Sequence, residues 1–148
     1  MAAGLTLRES SLAVFEAEFA HEVERWIDAD TLAGHLHTDG ELLAGEFNVA
    51  TAEALREGGP WGSGFPEPMF DGVFGVADTR VVGNRHLKLK LRAASGEVVD
   101  AIAFRYLDGA DAPEIRANDR VQAAYRTGID EYTGTRKLQL VTEWVGKL

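Results

Sequence analysis

A mainly β domain with a minor α component is predicted: five strands closed into a small barrel and preceded by two helices. Three observations predict it. From Val73 onward the apolar residues recur with period two, most clearly in "HLKLKLR", where Leu87, Leu89 and Leu91 alternate with His86, Lys88, Lys90 and Arg92. Five such runs can be delimited, at 73–82, 86–92, 98–106, 120–126 and 137–144, with turn signals at 83–84, 94–96 and 133–134. The longer interval "DGADAPEIRAND" separates the third run from the fourth and carries Pro113 where it can start a helical turn. Five strands with a helical turn after the third describe a barrel of the OB type, whose ligands lie on strands two and three and on the loops after strands one and four. A single two-sided sheet satisfies the same periodicity, but it leaves unpaired edges, so closure is favoured.

The N-terminal part is built differently. Ser10 and Ser11 can cap a helix whose apolar positions Leu12, Phe15, Phe19, Val23, Trp26 and Ile27 are spaced by three and four, with Glu16, Glu18, Glu22 and Glu24 on its other faces; the helix is expected to stop at 28–30. So wide an apolar stripe needs a neighbour to bury it. Residues 35–43 alternate loosely and read as a strand. Asn48 can cap a short helix reaching Arg56, with Phe47 stapled against Ala52. "GGPWGSGFPEPMF", residues 58–70, then mixes glycine and proline with Trp61, Phe65, Met69 and Phe70. It is expected to be an irregular seam entering the barrel. Its prolines preset the path, and its aromatics are buried against the barrel end and the preceding helices.

Composition bounds the function. The chain of 148 residues is 45% hydrophobic and 26% charged, enough for one packed domain. No run approaches the length of a membrane helix, and no basic region followed by an apolar one opens the chain, so a cytoplasmic protein without membrane partners is the default. Without cysteine there is no disulfide, thiolate zinc site or cysteine nucleophile. The net charge of −9 is unevenly spread: residues 1–79 carry three basic and fifteen acidic side chains, residues 80–148 twelve basic and nine acidic. The second part suits a negatively charged partner, unless the first is simply an acidic solvated surface.

The basic residues have a pattern. Arg85, His86, Lys88, Lys90 and Arg92 form a row on the second strand uninterrupted by carboxylates, as a phosphate-tracking stripe requires; a solvated strand kept soluble by lysine is the alternative. In the last hairpin Tyr132 sits beside Arg136 and Lys137, which suits stacking on an unpaired base, although such a tyrosine can also pack on its own strands. Tyr106 with Arg105 offers the same pairing, and Arg80 and Arg126 can complete the groove. His35, His37 and Asp39 would share one face of the 35–43 strand at a spacing able to hold a metal, without a supporting motif. His21 is expected to be inert. Gly62-Ser63-Gly64 lacks the lysine and the strand-to-helix setting of a phosphate loop. No Ser/His/Asp set and no pair of carboxylates stands out as catalytic.

Several stretches are distinctive: "MAAGLTL" at the start, "DG" at 39–40, "GPWGSGFPEPMF" at 59–70, "VGNRHLKLKL" at 82–91, "DAIAF" at 100–104 and "YRTGIDEYTGTRKLQL" at 125–140. In this order, over nearly the whole chain, they resemble the C-terminal part of the RecJ-type bacterial single-stranded-DNA-specific exonucleases. In that family a DHH domain holding Mn²⁺ or Mg²⁺ is followed by a DHHA1 domain and an OB domain. Met1 matches a methionine inside the family's Gly-Gly-His-Ala-Met-Ala-Ala-Gly motif. The resemblance implies that residues 1–30 are the C-terminal helix of a truncated DHHA1 domain and 31–148 the OB domain with the 58–70 seam. It accounts for a helix that lacks a neighbour. No cofactor is expected in this chain, because the DHH motifs and the Gly-Gly-His are absent from it. The implied activity of the longer protein is 5′-to-3′ exonuclease action in recombination and repair. The implied partners are single-stranded DNA, the rest of the enzyme, and a single-strand-binding protein whose acidic tail could dock on the same cations. A fragment that merely self-associates through its helix is a third reading. The family pattern has Gly-Asn-Pro where this chain has Gly64-Phe65-Pro66, so no polar role is carried onto Phe65.

Overall fold

The five period-two runs form five strands of a closed barrel in a computed structural model that describes residues 4–27, 34–109, 112–132 and 134–148. The strands are β1 (Phe70–Val82), β2 (His86–Arg92), β3 (Val98–Ala103), β4 (Arg120–Asp130) and β5 (Lys137–Lys147), in the order β1-β2-β3-β5-β4. All neighbours are antiparallel except β3 and β5, which pair in parallel over Asp100–Ala103 and Gln139–Thr142. The barrel closes through β1. Its first part, Phe70 to Gly75, pairs with β4, and its second, Gly75 to Val82, pairs with β2, so that Gly75 serves both. Ala77 is an extra residue just beyond the change of partner, the kind of bulge that bends a long strand around a barrel. A second bulge falls opposite Ala124 and Tyr125, where Glu143 is the extra residue on β5.

Alternation fills the interior. Leu87, Leu89 and Leu91 of β2 meet Val99, Ala101 and Ala103 of β3, Val121, Ala123 and Tyr125 of β4, and Leu138 and Leu140 of β5, all buried. Small alanines face large leucines and Tyr125, as a narrow barrel needs. A helix, α2 (Val49–Glu57), starts where expected: the Asn48 side chain accepts the Thr51 N–H at 2.9 Å. Ala52 of α2 is buried in the core, and Phe47 packs edge-on against Phe74 at 6.2 Å.

Several elements depart from expectation. β1, β4 and β5 are longer than the periodic runs, because their ends pair with neighbours even where alternation has lapsed. β3 is shorter than 98–106. After it, Arg105 takes a left-handed conformation (φ 57°) and a 3-10 turn follows at Tyr106–Asp108. Two bonds pull the chain across the start of β2: Arg105 N–H donates to His86 Nδ1 at 2.8 Å, and Leu107 N–H to the Arg85 carbonyl at 3.1 Å. Pro113 starts no helical turn. The chain beyond it bonds to the β1 bulge instead, Asn118 N–H to the Val76 carbonyl and Val76 N–H to that of Asp119, each at 2.8 Å.

Residues 35–43 are not a strand. Left-handed glycines at Gly34, Gly40 and Gly45 break any ladder, leaving only isolated bonds such as Asp39 N–H to the Met69 carbonyl at 2.7 Å. The seam is partly as expected. Trp61 donates its Nε1–H to the Leu55 carbonyl at 3.0 Å, and Phe70 enters β1 and packs on Tyr125. Phe65, expected to be buried, is 53% exposed: a Gly62–Phe65 bridge folds it onto the outside of Trp61, rings 4.8 Å apart.

Residues 1–36 and 37–148 separate into two units. In the first, α1 (Leu12–Trp26) follows a 3-10 turn at Glu9–Ser11; Ser11 occupies the cap position without a side-chain cap bond. None of the α1 residues is buried, and Leu12, Val14, Phe19 and Trp26 are exposed. The expected stop at 28–30 and Thr133 of the last turn lie outside the described residues.

Candidate nucleic-acid interface

The leucines of β2 point inward, so Lys88, Lys90 and Arg92 point out, and the strand register fixes their neighbours. Arg80 of β1 stands across from Lys88 and Asp78 across from Lys90. On the other side Ile102 of β3 faces Lys88, and Asp100 faces Lys90. The β4–β5 hairpin supplies Asp130 and Lys137. Asp78, Arg80, Lys88, Lys90, Asp100, Asp130 and Lys137 line a cleft of about 350 Å³ on the outer face of β1, β2 and β3. Its cations are Arg80, Lys88, Lys90 and Lys137; its carboxylates are Asp78, Asp100 and Asp130.

This corrects the expectation of a basic row free of carboxylates. The row is uninterrupted along β2, but adjoining strands set acids between its members. Lys88 Nζ lies 3.5 Å from Asp130. The Asp130 carboxyl is held below the usual carboxylate range, first by the Tyr132 backbone N–H (2.9 Å) and also by Lys88. Among the described residues no carboxylate lies within ion-pair distance of Arg80, Lys90, Arg92 or Lys137.

The other predicted site residues fall in three places. Arg85, His86, Arg105 and Tyr106 gather at the start of β2. There Arg85 forks onto Asp108 (Nε–Oδ1 3.0 Å, Nη2–Oδ2 2.5 Å) and Arg105 Nε joins it at 3.0 Å. Arg85, then Arg105, hold the Asp108 carboxyl well below the usual carboxylate range. Tyr106 is half-buried against the core, and its hydroxyl donates to the Pro113 carbonyl at 2.6 Å. Burial pushes that hydroxyl's pKa up. Arg126, on β4, pairs with Glu143 and, at 3.9 Å, with Glu67 of the seam. In the hairpin, Arg136 is tied to Glu53 of α2 at 2.5 Å and to Glu131 at 3.0 Å, while Tyr132 stands 95% exposed.

Two exposed aromatics escaped the sequence reading, Phe104 and Trp144. Both had a legible signal. Phe104 directly follows β3 and continues the outward parity of Asp100 and Ile102, and Trp144 is followed two residues later by Gly146, which leaves room beneath an indole ring.

Among the described residues no three His, Cys, Asp or Glu side chains converge to hold a metal. The strand that would have aligned His35, His37 and Asp39 does not form, and Asp39 Oδ2 instead accepts the Met69 N–H at 3.0 Å. The donor set for Mn²⁺ or Mg²⁺ is therefore not provided by these residues. No described helix is long and apolar enough to cross a membrane.

The closed barrel with its cleft over β2 and β3 coincides with a known domain: residues 38–143 match the family model for the RecJ OB domain. The chain belongs to the RecJ OB domain family. Two curated relatives are the single-stranded-DNA-specific exonucleases RecJ of Haemophilus influenzae, 42% identical over 148 residues, and of Escherichia coli K12, 40% identical over 144 residues. These alignments cover 98% and 97% of this chain, but the chain spans only about a quarter of either relative's length (25% each). Among solved structures, RecJ of Thermus thermophilus in complex with Mn²⁺ superposes with a TM-score of 0.68 at 20% identity. It covers 98% of this chain and 20% of the Thermus protein. The same Thermus protein with Mg²⁺ gives 0.67. At that identity the match establishes the fold of the RecJ OB domain.

Proposed function

We propose that this RecJ OB domain holds single-stranded DNA for a 5′-to-3′ exonuclease of recombination and repair, working in the cytoplasm. Hydrolysis belongs to a DHH domain elsewhere in the longer protein, with Mn²⁺ or Mg²⁺ as its metal. Residues 1–30 are read as the last helix of a DHHA1 domain, whose remaining helices cover the apolar stripe of α1. The observation that carries the reading is the cleft itself: Lys88 and Lys90 of β2 flanked by Arg80 of β1 and Lys137 of β5 on a RecJ OB barrel, beneath a hairpin that presents an open tyrosine ring. Phosphates would follow Arg80, Lys90, Arg92 and Lys137, and Tyr132 would meet a base.

The carboxylates set the strength. With about four unpaired cations, and a salt slope of about −0.7 per phosphate contact on single strands, log K should fall with log salt at a slope no steeper than about −3. Fluorescence polarisation of labelled oligo-thymidine across a salt series tests this. Arg80→Ala and Lys90→Ala should each weaken binding and flatten the slope by about 0.7. Unchanged affinity with an unchanged slope in both variants would reject the placement. The rim cations Arg92 and Lys137 also fit the acidic tail of a single-strand-binding protein. Competition between oligo-thymidine and such a peptide distinguishes this second reading.

A further inference from the structure

Beside the cleft lies a second concavity, of about 330 Å³, between the end of β3 and the β5 edge. Its floor is Ala103, Thr142 and Val145, and Phe104 and Trp144 rise from it. Large aromatic rings at 56% and 49% exposure are costly to leave in water, and here both are held in place rather than free. A side chain at Gly146 would come within 2.5 Å of two indole carbons, so the Trp144 ring rests directly on glycine backbone while much of its surface stays open. Phe104 is braced edge-on by His86, ring centroids 5.3 Å apart at 77°. His86 Nδ1 also accepts the Arg105 N–H, which fixes the backbone immediately after Phe104. The exposed Arg105 side chain lines the same concavity.

We propose that Phe104 and Trp144 form an aromatic subsite that takes unstacked nucleobases of the strand whose phosphates lie in the neighbouring cleft. This rests on the reading of the cleft given above. Continuity is the reason to choose bases over another occupant. Phe104 comes directly after the end of β3, two positions beyond Ile102, which faces Lys88. His86, which braces Phe104, lies two residues along β2 from Lys88. A backbone running along β2 thus turns its bases toward β3 and β5. There it meets flat rings with a guanidinium beside them, the combination that stacks bases without regard to sequence.

The test compares oligo-thymidine of about twelve nucleotides with an abasic strand of equal length. Trp144→Ala and Phe104→Ala should each weaken oligo-thymidine binding by between about fivefold and about a hundredfold, leaving the salt slope and the abasic affinity unchanged. Trp144→Phe should restore most of the loss. Gly146→Ala, which lifts the indole without removing it, should reproduce the Trp144→Ala defect. In a Trp26→Phe, Trp61→Phe background, Trp144 emission should be quenched by oligo-thymidine and not by the abasic strand. Circular dichroism melts confirm that each variant is folded. If Lys90→Ala weakens binding while the aromatic variants bind like the parent chain and Trp144 emission is unmoved, the subsite is wrong and the cleft stands. Quenching by an acidic peptide and not by oligo-thymidine would assign the surface to a protein partner and overturn the proposal. Binding of neither strand would remove the cleft reading and the subsite with it.

Discussion

Asp130 shows how one carboxylate can set the character of a basic groove. One oxygen accepts the Tyr132 N–H and shapes the turn; the other neutralises Lys88 at 3.5 Å. The two duties are separable, because asparagine keeps the acceptor and loses the charge. Asp130→Asn should therefore leave the hairpin intact, free Lys88 and tighten oligo-thymidine binding. The salt slope should steepen by about 0.7, one additional phosphate contact. Equal slopes in the variant and the parent chain would mean that Lys88 does not reach the strand at all. Tyr106 is the contrasting case. It neighbours an arginine in sequence as Tyr132 does in the hairpin, yet its hydroxyl is engaged by Pro113 and its ring packs on the core. Adjacency to a cation does not distinguish an open ring from a packed one; what decides is whether the chain turns back over it, as residues 112–116 do.

Elements with strong local chemistry were legible. β2 announces itself because three leucines alternate with four polar residues, and α2 because Asn48 can satisfy an orphan N–H three residues on. Asn48→Ala should cost about 1 kcal/mol, lowering the melting temperature by roughly 4 °C, with Asn48→Asp largely neutral. An unchanged melt would show that burial of Ala52 alone holds the helix. Where partners are distant in sequence, legibility failed. The acids facing Lys90 lie on β1 and β3, and no single strand reveals them. The 35–43 segment alternates weakly, but Gly40 within it, like Gly34 and Gly45 on either side, sits at positive φ, and periodicity carries no record of that. The 98–106 run places Phe104 inside the third strand. What ends that strand is a bond from Arg105 to His86, nineteen residues earlier in the chain.

For the whole molecule, the balance of charges constrains how a polynucleotide is met. The chain as a whole carries −9, so its distant field repels DNA rather than steering it. At physiological ionic strength that repulsion is screened beyond about 8 Å, so under the proposed reading attraction would act only close to the cleft cations. The OB class could be foreseen, since five strands and the interval after the third survive every local error in their boundaries. Closure could be argued only from the cost of open edges, and the pairing that achieves it is visible only in three dimensions.

That pairing, β3 alongside β5, has a kinetic corollary. Every other strand junction is antiparallel, and three of them, β1–β2, β2–β3 and β4–β5, are hairpins that can zip from a local turn. The parallel seam joins Asp100–Ala103 to Gln139–Thr142, about forty residues apart, over only four paired positions. It should form last during folding and part first under native conditions. Native-state amide exchange would then show the seam protected by less than the global unfolding free energy, while Leu89 and Leu91 in the middle of β2 exchange only when the entire barrel comes apart.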